Sequence, residues 1–340
     1  MYHSFYGLRE PPFELTPNPK YLFLTRQHRE GLSTLEYGLF SAKGVTALIG
    51  EAGTGKTTLI QAALASERCR NVTCVYLMNP ALTRAEFVET LSLRFGLSTH
   101  AAGSKAALLD ELERVLRERR ARGQITALVI DEAQSLSDEL LEEIRLLANS
   151  ESTTQKLLPL VLAGQPELRA RLNEPGLRQL KQRVTLRCEI TPFSQMETAA
   201  YIAHRIGIAG GDAVRLFTRQ AVMLIHERAR GIPRTISVLC DNALLTGFGL
   251  GRQPVDSEVV LEVARDFDFG AWEAPYATTT GSAEEAVTFP PADVLEPEAA
   301  ANSPSHDTPL RAQTEDPADA DREMFSIPTR PSRFSLFGRR

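Results

Sequence analysis

Gly50-Glu51-Ala52-Gly53-Thr54-Gly55-Lys56-Thr57 stands between an apolar run, Val45–Ile49, and the start of a helical segment. A G-x-x-x-x-G-K-[ST] pattern in this strand–loop–helix setting restricts the possible folds more than any other feature of the chain. Its glycines let backbone N–H groups wrap phosphates, and the helix amino terminus adds a favourable dipole. Lys56 is placed to reach β- and γ-phosphates, and the Thr57 hydroxyl to help hold Mg²⁺. The ligands this predicts are ATP and Mg²⁺.

Apolar runs at Val72–Met78, Ile125–Ile130, Leu157–Ala163 and Val184–Ile190 alternate with helical patterns. Capping boxes at Thr83/Glu86 and Ser194/Glu197 mark two of the helix starts. Short continuous apolar strands alternating with helices predict an α/β fold whose parallel sheet is covered on both faces. After Pro192 the strands stop, and helical patterns at roughly 195–207, 218–230, 234–248 and 257–266 predict a small all-helical lid. Residues 1–27 hold four prolines and many aromatics, which predicts an extended, packed arm rather than a helix. Residues 271–340 hold nine of the 20 prolines and twelve of the 43 acids but no lysine, a composition expected to stay disordered. The expected organisation is therefore an arm over 1–27, a nucleotide-binding α/β domain over 28–192, a lid over 193–270 and an acidic tail over 271–340. The basic, aromatic end at 325–340 is a candidate docking motif.

Composition excludes several classes. The tail also holds six of the 38 bases, so residues 1–270 are within one charge of neutral, unlike a strongly basic DNA coat. Cys69, Cys74, Cys188 and Cys240 form neither CxxC pairs nor finger spacing, and none of the six histidines sits in HExxH. No apolar run spans a bilayer and no basic-then-apolar signal opens the chain, so the expected location is the cytoplasm, with any membrane association made through partners.

The strand Ala127–Ile130 delivers Asp131 and Glu132 to the carboxyl edge of the sheet, beside the phosphate loop. There Asp131 can coordinate Mg²⁺, usually through water, and Glu132 can polarise the attacking water. Gln165, after the strand ending at Ala163, is placed to sense the γ-phosphate; a plain turn before Pro166 is the other reading. Arg178 and Arg183 are both candidates for an arginine finger, or are ordinary surface arginines. Arg234, in Gly231-Ile-Pro-Arg234, is suited to reach a nucleotide from the lid, or is a first-turn helix arginine.

Together these features resemble AAA+ ATPases of the origin-recognition-like branch. More narrowly, Phe5-Tyr-Gly-Leu-Arg-Glu-Pro-Pro-Phe13, Leu15-Thr-Pro-Asn-Pro19, Asp131-Glu-Ala-Gln134, Gly164-Gln-Pro-Glu-Leu168, Leu177-Arg-Gln-Leu-Lys-Gln-Arg183, Gly231-Ile-Pro-Arg234 and Leu239-Cys-Asp-Asn-Ala-Leu-Leu245 resemble the general secretion pathway protein A family. That family includes ATPases of mannose-sensitive pilus assembly and of exosortase loci. The resemblance covers about 1–266. It implies that Gly50–Thr58 bind nucleotide, that Asp131 and Glu132 are the Walker B pair, and that Arg234 is the lid sensor. It also implies a self-associating ATPase serving secretion, pilus or exopolysaccharide machinery at the membrane. The founding member continues into a transmembrane helix and a peptidoglycan-binding domain, where this sequence has its acidic tail, so cell-wall binding is not expected. A DNA-bound regulator resembling transposition or replication ATPases is the alternative. A helicase is disfavoured, since Asp131-Glu-Ala-Gln134 has no Ser-Ala-Thr motif or second motor domain beside it.

Overall fold

Successive residues of a strand point to opposite sides, and in the three central strands of this chain both sides are buried. The computed structural model describes residues 2–16, 18–78, 82–150 and 156–269. The expected tail and its candidate docking motif lie outside the described residues.

Strands β1 (Val45–Gly50), β2 (Val72–Leu77), β3 (Ile125–Ile130), β4 (Leu160–Gly164) and β5 (Val184–Ile190) pair in parallel, in the order β2-β3-β4-β1-β5. Along the chain the helices are α1 (Tyr2–Phe5), α2 (Arg26–Phe40), α3 (Lys56–Leu64), α4 (Arg84–Phe95), α5 (Thr99–Gly103), α6 (Lys105–Ala121) and α7 (Asp138–Leu147). After β4 come α8 (Pro166–Leu172) and α9 (Arg178–Arg183). The chain then continues through α10 (Gln195–Ile208), α11 (Ala213–Leu216), α12 (Arg219–Ala229), α13 (Pro233–Gly249) and α14 (Ser257–Asp266).

Strand β3 shows how the sheet is buried. Ala127 and Val129 join Leu35 and Leu39 of α2 and Leu59 and Ile60 of α3 in one core. Leu128 and Ile130 point the other way, into a core with Phe87, Leu112, Leu140 and Ile144 of α4, α6 and α7. Each such aliphatic side chain contributes about 1.5–3 kcal/mol on burial, so both faces tie helices to the sheet. Both predicted capping boxes form, Thr83 with Glu86 opening α4 and Ser194 with Glu197 opening α10.

Helices α10 to α14 form a third core of their own. The amino-terminal arm belongs to it: Tyr6, Leu8 and Phe13 are buried there with Ile202, Ile206, Phe217 and Leu244. Two details differ from the sequence expectation. The arm is not wholly extended, because residues 2–5 precede the first proline and make one helical turn, and Pro19–Tyr21 form a 3-10 turn capped by Asn18. Strand β4 begins at Leu160 rather than Leu157, because Pro159 has no N–H for the ladder; its carbonyl still accepts from Leu128 N at 3.0 Å.

Candidate functional site

The register of the sheet brings three strand ends together. Ile49 pairs with Gly164, Gly50 with Ile190, and Leu162 with Ile130, so the loops after β1, β3 and β4 leave from one edge. That edge carries Gly50–Thr57, Asp131 with Glu132, and Gln165.

The phosphate loop is held by its glycines and by its neighbours. Gly55, at φ +97°, is the amino cap of α3, in a backbone region that side chains with a Cβ rarely enter. Lys56 is buried, and its Nζ donates to Gly50 O at 2.8 Å and Glu51 O at 3.0 Å. Burial pushes the Lys56 pKa down, while the charges of Glu132, Asp131 and Glu51 oppose the fall. Thr57 Oγ1 donates to Asp131 Oδ2 at 2.6 Å, so the two residues expected at Mg²⁺ touch. Tyr76, on β2, donates its hydroxyl to the same oxygen at 2.9 Å, and its own pKa is raised by burial and by the Asp131 charge. Thr57, Asp131 and Tyr76 thus form one oxygen cluster at the carboxyl edge, the donor chemistry that suits a hard divalent cation.

Glu132 has an unusual backbone, φ +52° and ψ +37°. Its carboxylate receives Gln134 Nε2 at 2.6 Å and Gln165 Nε2 at 3.1 Å, both on Oε2. Burial pushes the Glu132 pKa up, but those two hydrogen bonds and the Lys56 charge outweigh it, and the net shift is downward. The carboxylate is therefore ionised near neutral pH. Gln165 meets the expected position at the strand end, and its observed partner is Glu132. Its backbone N–H is fixed by Gln134 Oε1 at 3.1 Å.

Arg234 comes from the first turn of α13 and lies on the loop. Its N–H donates to Gly53 O at 3.3 Å, and a Cβ on Gly53 would sit only 2.9 Å from Arg234 Cβ. On the other side His28 of α2 supports the loop. Thr54 O can only accept, so His28 Nε2 carries the proton donated to it at 3.1 Å, and Nδ1 accepts from Thr25 at 2.7 Å. Burial lowers the His28 pKa, against the Thr54 hydrogen bond and the Glu197 charge, so the ring is neutral.

A cavity of about 410 Å³ begins at Gly53–Thr58 and Glu132 and runs toward the lid, past Phe23, Phe193, Tyr201 and Arg234. Backbone donors and Lys56 at one end and aromatic rings at the other fit a nucleoside triphosphate, with Thr57 and Asp131 able to hold its Mg²⁺. Arg178 and Arg183 are not part of this site. Gly44, just before β1, would place a Cβ 3.7 Å from the Arg183 carbonyl, so α9 ends at the opposite edge of the sheet. The six residues of β1 separate the two edges by roughly 20 Å at about 3.3 Å per residue.

Tyr76, Gln134, His28 and the aromatic end of the cavity carry no sequence signal that predicts their roles. Tyr76 reads as an ordinary strand residue and His28 as a helix residue; only the parallel pairing and the packing of α2 bring them to the loop.

Residues 39–172 match the protein family described as AAA domain. General secretion pathway protein A of Aeromonas hydrophila is 38% identical over 278 residues, covering 81% of this chain and 50% of that protein. An uncharacterized HTH-type transcriptional regulator of Methanocaldococcus jannaschii is 25% identical over 155 residues, covering 45% of this chain and 37% of that protein. The chain thus spans half or less of the length of these relatives. Among solved structures, the ORC2 protein of Aeropyrum pernix superposes with a TM-score of 0.55 at 17% identity, over 76% of this chain and 71% of that one. This last likeness concerns the fold alone.

Proposed function

We propose that this chain, which belongs to the AAA+ P-loop proteins of the general secretion pathway protein A family, binds MgATP in the cavity and hydrolyses it to drive a secretion or surface-assembly system. The observation that carries the reading is the convergence of Lys56, Thr57, Asp131, Glu132 and Gln165 at one sheet edge, with Arg234 of α13 meeting the loop there from the lid. Loop N–H groups and Lys56 neutralise the phosphates, and Arg234 adds a second cation from the lid side. Thr57 and Asp131 would hold Mg²⁺, which would supply charge neutralisation on the phosphate oxygens. The Glu132 carboxylate accepts a proton from the attacking water as the water oxygen bonds to the γ-phosphorus, and the bond from that phosphorus to the β–γ bridging oxygen breaks to leave ADP and phosphate. The two glutamine donors hold the carboxylate ionised and aimed while this happens.

The arginine finger is supplied in trans in this reading. Arg183, or else Arg178, lies too far from its own loop and reaches the nucleotide of a neighbour in a ring or filament. The residue ranges 28–192 and 193–270 serve as motor body and lid. No helix among the described residues is long and apolar enough to cross a membrane. In this reading, contact with membrane machinery is made through partner proteins. The test is a pair of variants. Lys56→Ala should lose MgATP binding in equilibrium titration, and Glu132→Gln should bind MgATP with little turnover. Normal affinity in the first variant or normal turnover in the second counts against this assignment. The HTH-type relative favours a second reading, an ATP-dependent DNA-bound regulator. ATP-dependent retention of duplex DNA at moderate salt would support that reading over the first.

A further inference from the structure

We propose that Arg205 is a positioning residue that hangs the wall of the nucleotide cavity from the helical lid, an inference that rests on the MgATP reading above. It concerns the arm segment Phe5–Phe13, which phosphate chemistry leaves unused. The lid is shaped around that segment. A Cβ on Gly211 would lie 2.4 Å from Leu8 Cδ2, and one on Gly247 would lie 2.6 Å from the Tyr6 hydroxyl. Arg9 N donates to Ala209 O at 2.8 Å, and Arg9 Nη2 to Ile208 O at 3.2 Å. After Phe13 the arm leaves this core and crosses the cavity, which Glu14, Leu15, Thr16, Asn18 and Tyr21 line. It then reaches Thr25, the cap of α2, and through His28 the phosphate loop.

Arg205 sits where the arm departs. Its Nε donates to Pro12 O at 2.5 Å and its Nη2 to Glu14 O at 3.1 Å. Its Nη1 donates to the Tyr201 hydroxyl at 2.8 Å, and the guanidinium lies over the rings of Tyr21, Tyr201 and Phe13 at 4.9, 5.6 and 5.8 Å. The side chain is buried, and no ion pair among the described residues includes it. A cation out of water with no carboxylate needs such a dense set of carbonyls and ring faces to be held at all. A planar fork reaches the Pro12 and Glu14 carbonyls from two separate nitrogens held in one plane, whereas a lysine ammonium would have to reach both from a single point. The fork therefore fixes the path of residues 12–14 and, through them, the wall that follows. None of its partners belongs to the phosphate loop, so loss of the fork acts first on the wall and reaches the loop only indirectly, along the arm through Thr25 and His28.

The experiment uses the full chain and two ligands, MgATP and inorganic tripolyphosphate, each titrated against wild type, Arg205→Lys and Arg205→Met. Loss of the wall should weaken MgATP binding by about tenfold or more in Arg205→Met while tripolyphosphate binding stays within about twofold. Arg205→Lys should fall between, since an ammonium keeps the charge but lacks the planar fork that reaches both carbonyls and stacks on the rings. Equal weakening of both ligands would show a merely structural role and overturn the proposal, as would unchanged MgATP affinity. If Arg205→Met does not fold, the MgATP-to-tripolyphosphate affinity ratio of folded Arg205→Lys decides, and a wild-type ratio overturns the proposal. Lys56→Ala serves as the control: retention of both ligands there refutes the MgATP reading itself rather than the role of Arg205.

Discussion

Gly53→Ala adds one methyl group at the contact between phosphate loop and lid. Gly53 has φ +81°, and the new Cβ would stand 2.9 Å from Arg234 Cβ and 3.0 Å from Ile232 Cγ2. Carbon atoms rest at about 3.5–4.0 Å, so one side must move by roughly half an ångström or more. The lid side cannot yield easily, because Gly231 O accepts from Phe193 N at 2.8 Å and Arg234 N donates to Gly53 O itself. Left-handed backbone costs an alanine roughly 1–2 kcal/mol. Overpacking adds roughly 1–3 kcal/mol. If the free loop relaxes and must be forced back on binding, MgATP affinity falls by roughly 30-fold at the lower end of that sum. If the strain stays in the free protein, the melting temperature falls instead. Equilibrium titration and a thermal melt distinguish the two. Gly249→Ala is the control, since a Cβ there meets nothing within 4 Å and alanine favours a helix end by up to about 1 kcal/mol. A Gly53→Ala protein with wild-type affinity and wild-type melting temperature would refute the coupling of loop and lid.

Three further predictions concern the chemistry. Tyr76→Phe removes one of two hydroxyl donors to Asp131 Oδ2, so half-maximal turnover should need about tenfold more Mg²⁺; an unmoved Mg²⁺ titration counts against the cluster. The pKa of Glu132 is lowered in the folded chain, so its contribution to stability is complete above the unfolded carboxylate value and is lost as pH falls through the lowered one. Turnover should keep its base over the same range, and Gln134→Leu, which removes a donor, should move the acid limb of the kcat profile to higher pH; coincident limbs would separate Gln134 from the base. Arg183→Ala should lose turnover but keep MgATP affinity, and mixing it with Lys56→Ala subunits should restore activity, whereas turnover by a monomer verified by light scattering excludes a finger in trans.

Sequence alone reaches those parts of the site that covalent spacing sets. Gly50–Thr57 are contiguous, and Asp131 and Glu132 follow a buried strand without a break, so strand–loop–helix logic locates both. Gln165 is legible for the same reason. Its contact with Glu132 was not, because it depends on the left-handed turn of Glu132 and on Gln134 folding back two residues. Likewise Leu157–Ala163 reads as one apolar run, and only the proline within it explains why the ladder opens at Leu160. The arm shows the opposite failure. Its prolines and aromatics announce packing, but its partners lie some two hundred residues later, in α10 to α13, and no local pattern names them.

This difference bears on what the glycine-rich motif means by itself. Four carbonyls of the loop are taken by donors: Gly50 O and Glu51 O by Lys56, Gly53 O by the Arg234 backbone, and Thr54 O by His28. A peptide plane whose carbonyl is held on one side directs its N–H toward the other, and those N–H groups are what an anion meets. Two of these four hydrogen bonds come from Lys56 within the motif and two from outside it, one from His28 in α2 and one from Arg234 in α13. The motif therefore encodes the loop, while the arm–α2 junction and the lid set the direction in which it presents its donors. A chain with the same eight residues but without His28 and the Gly231–Arg234 turn would keep the glycines and lose the contacts that orient the loop at Gly53 and Thr54.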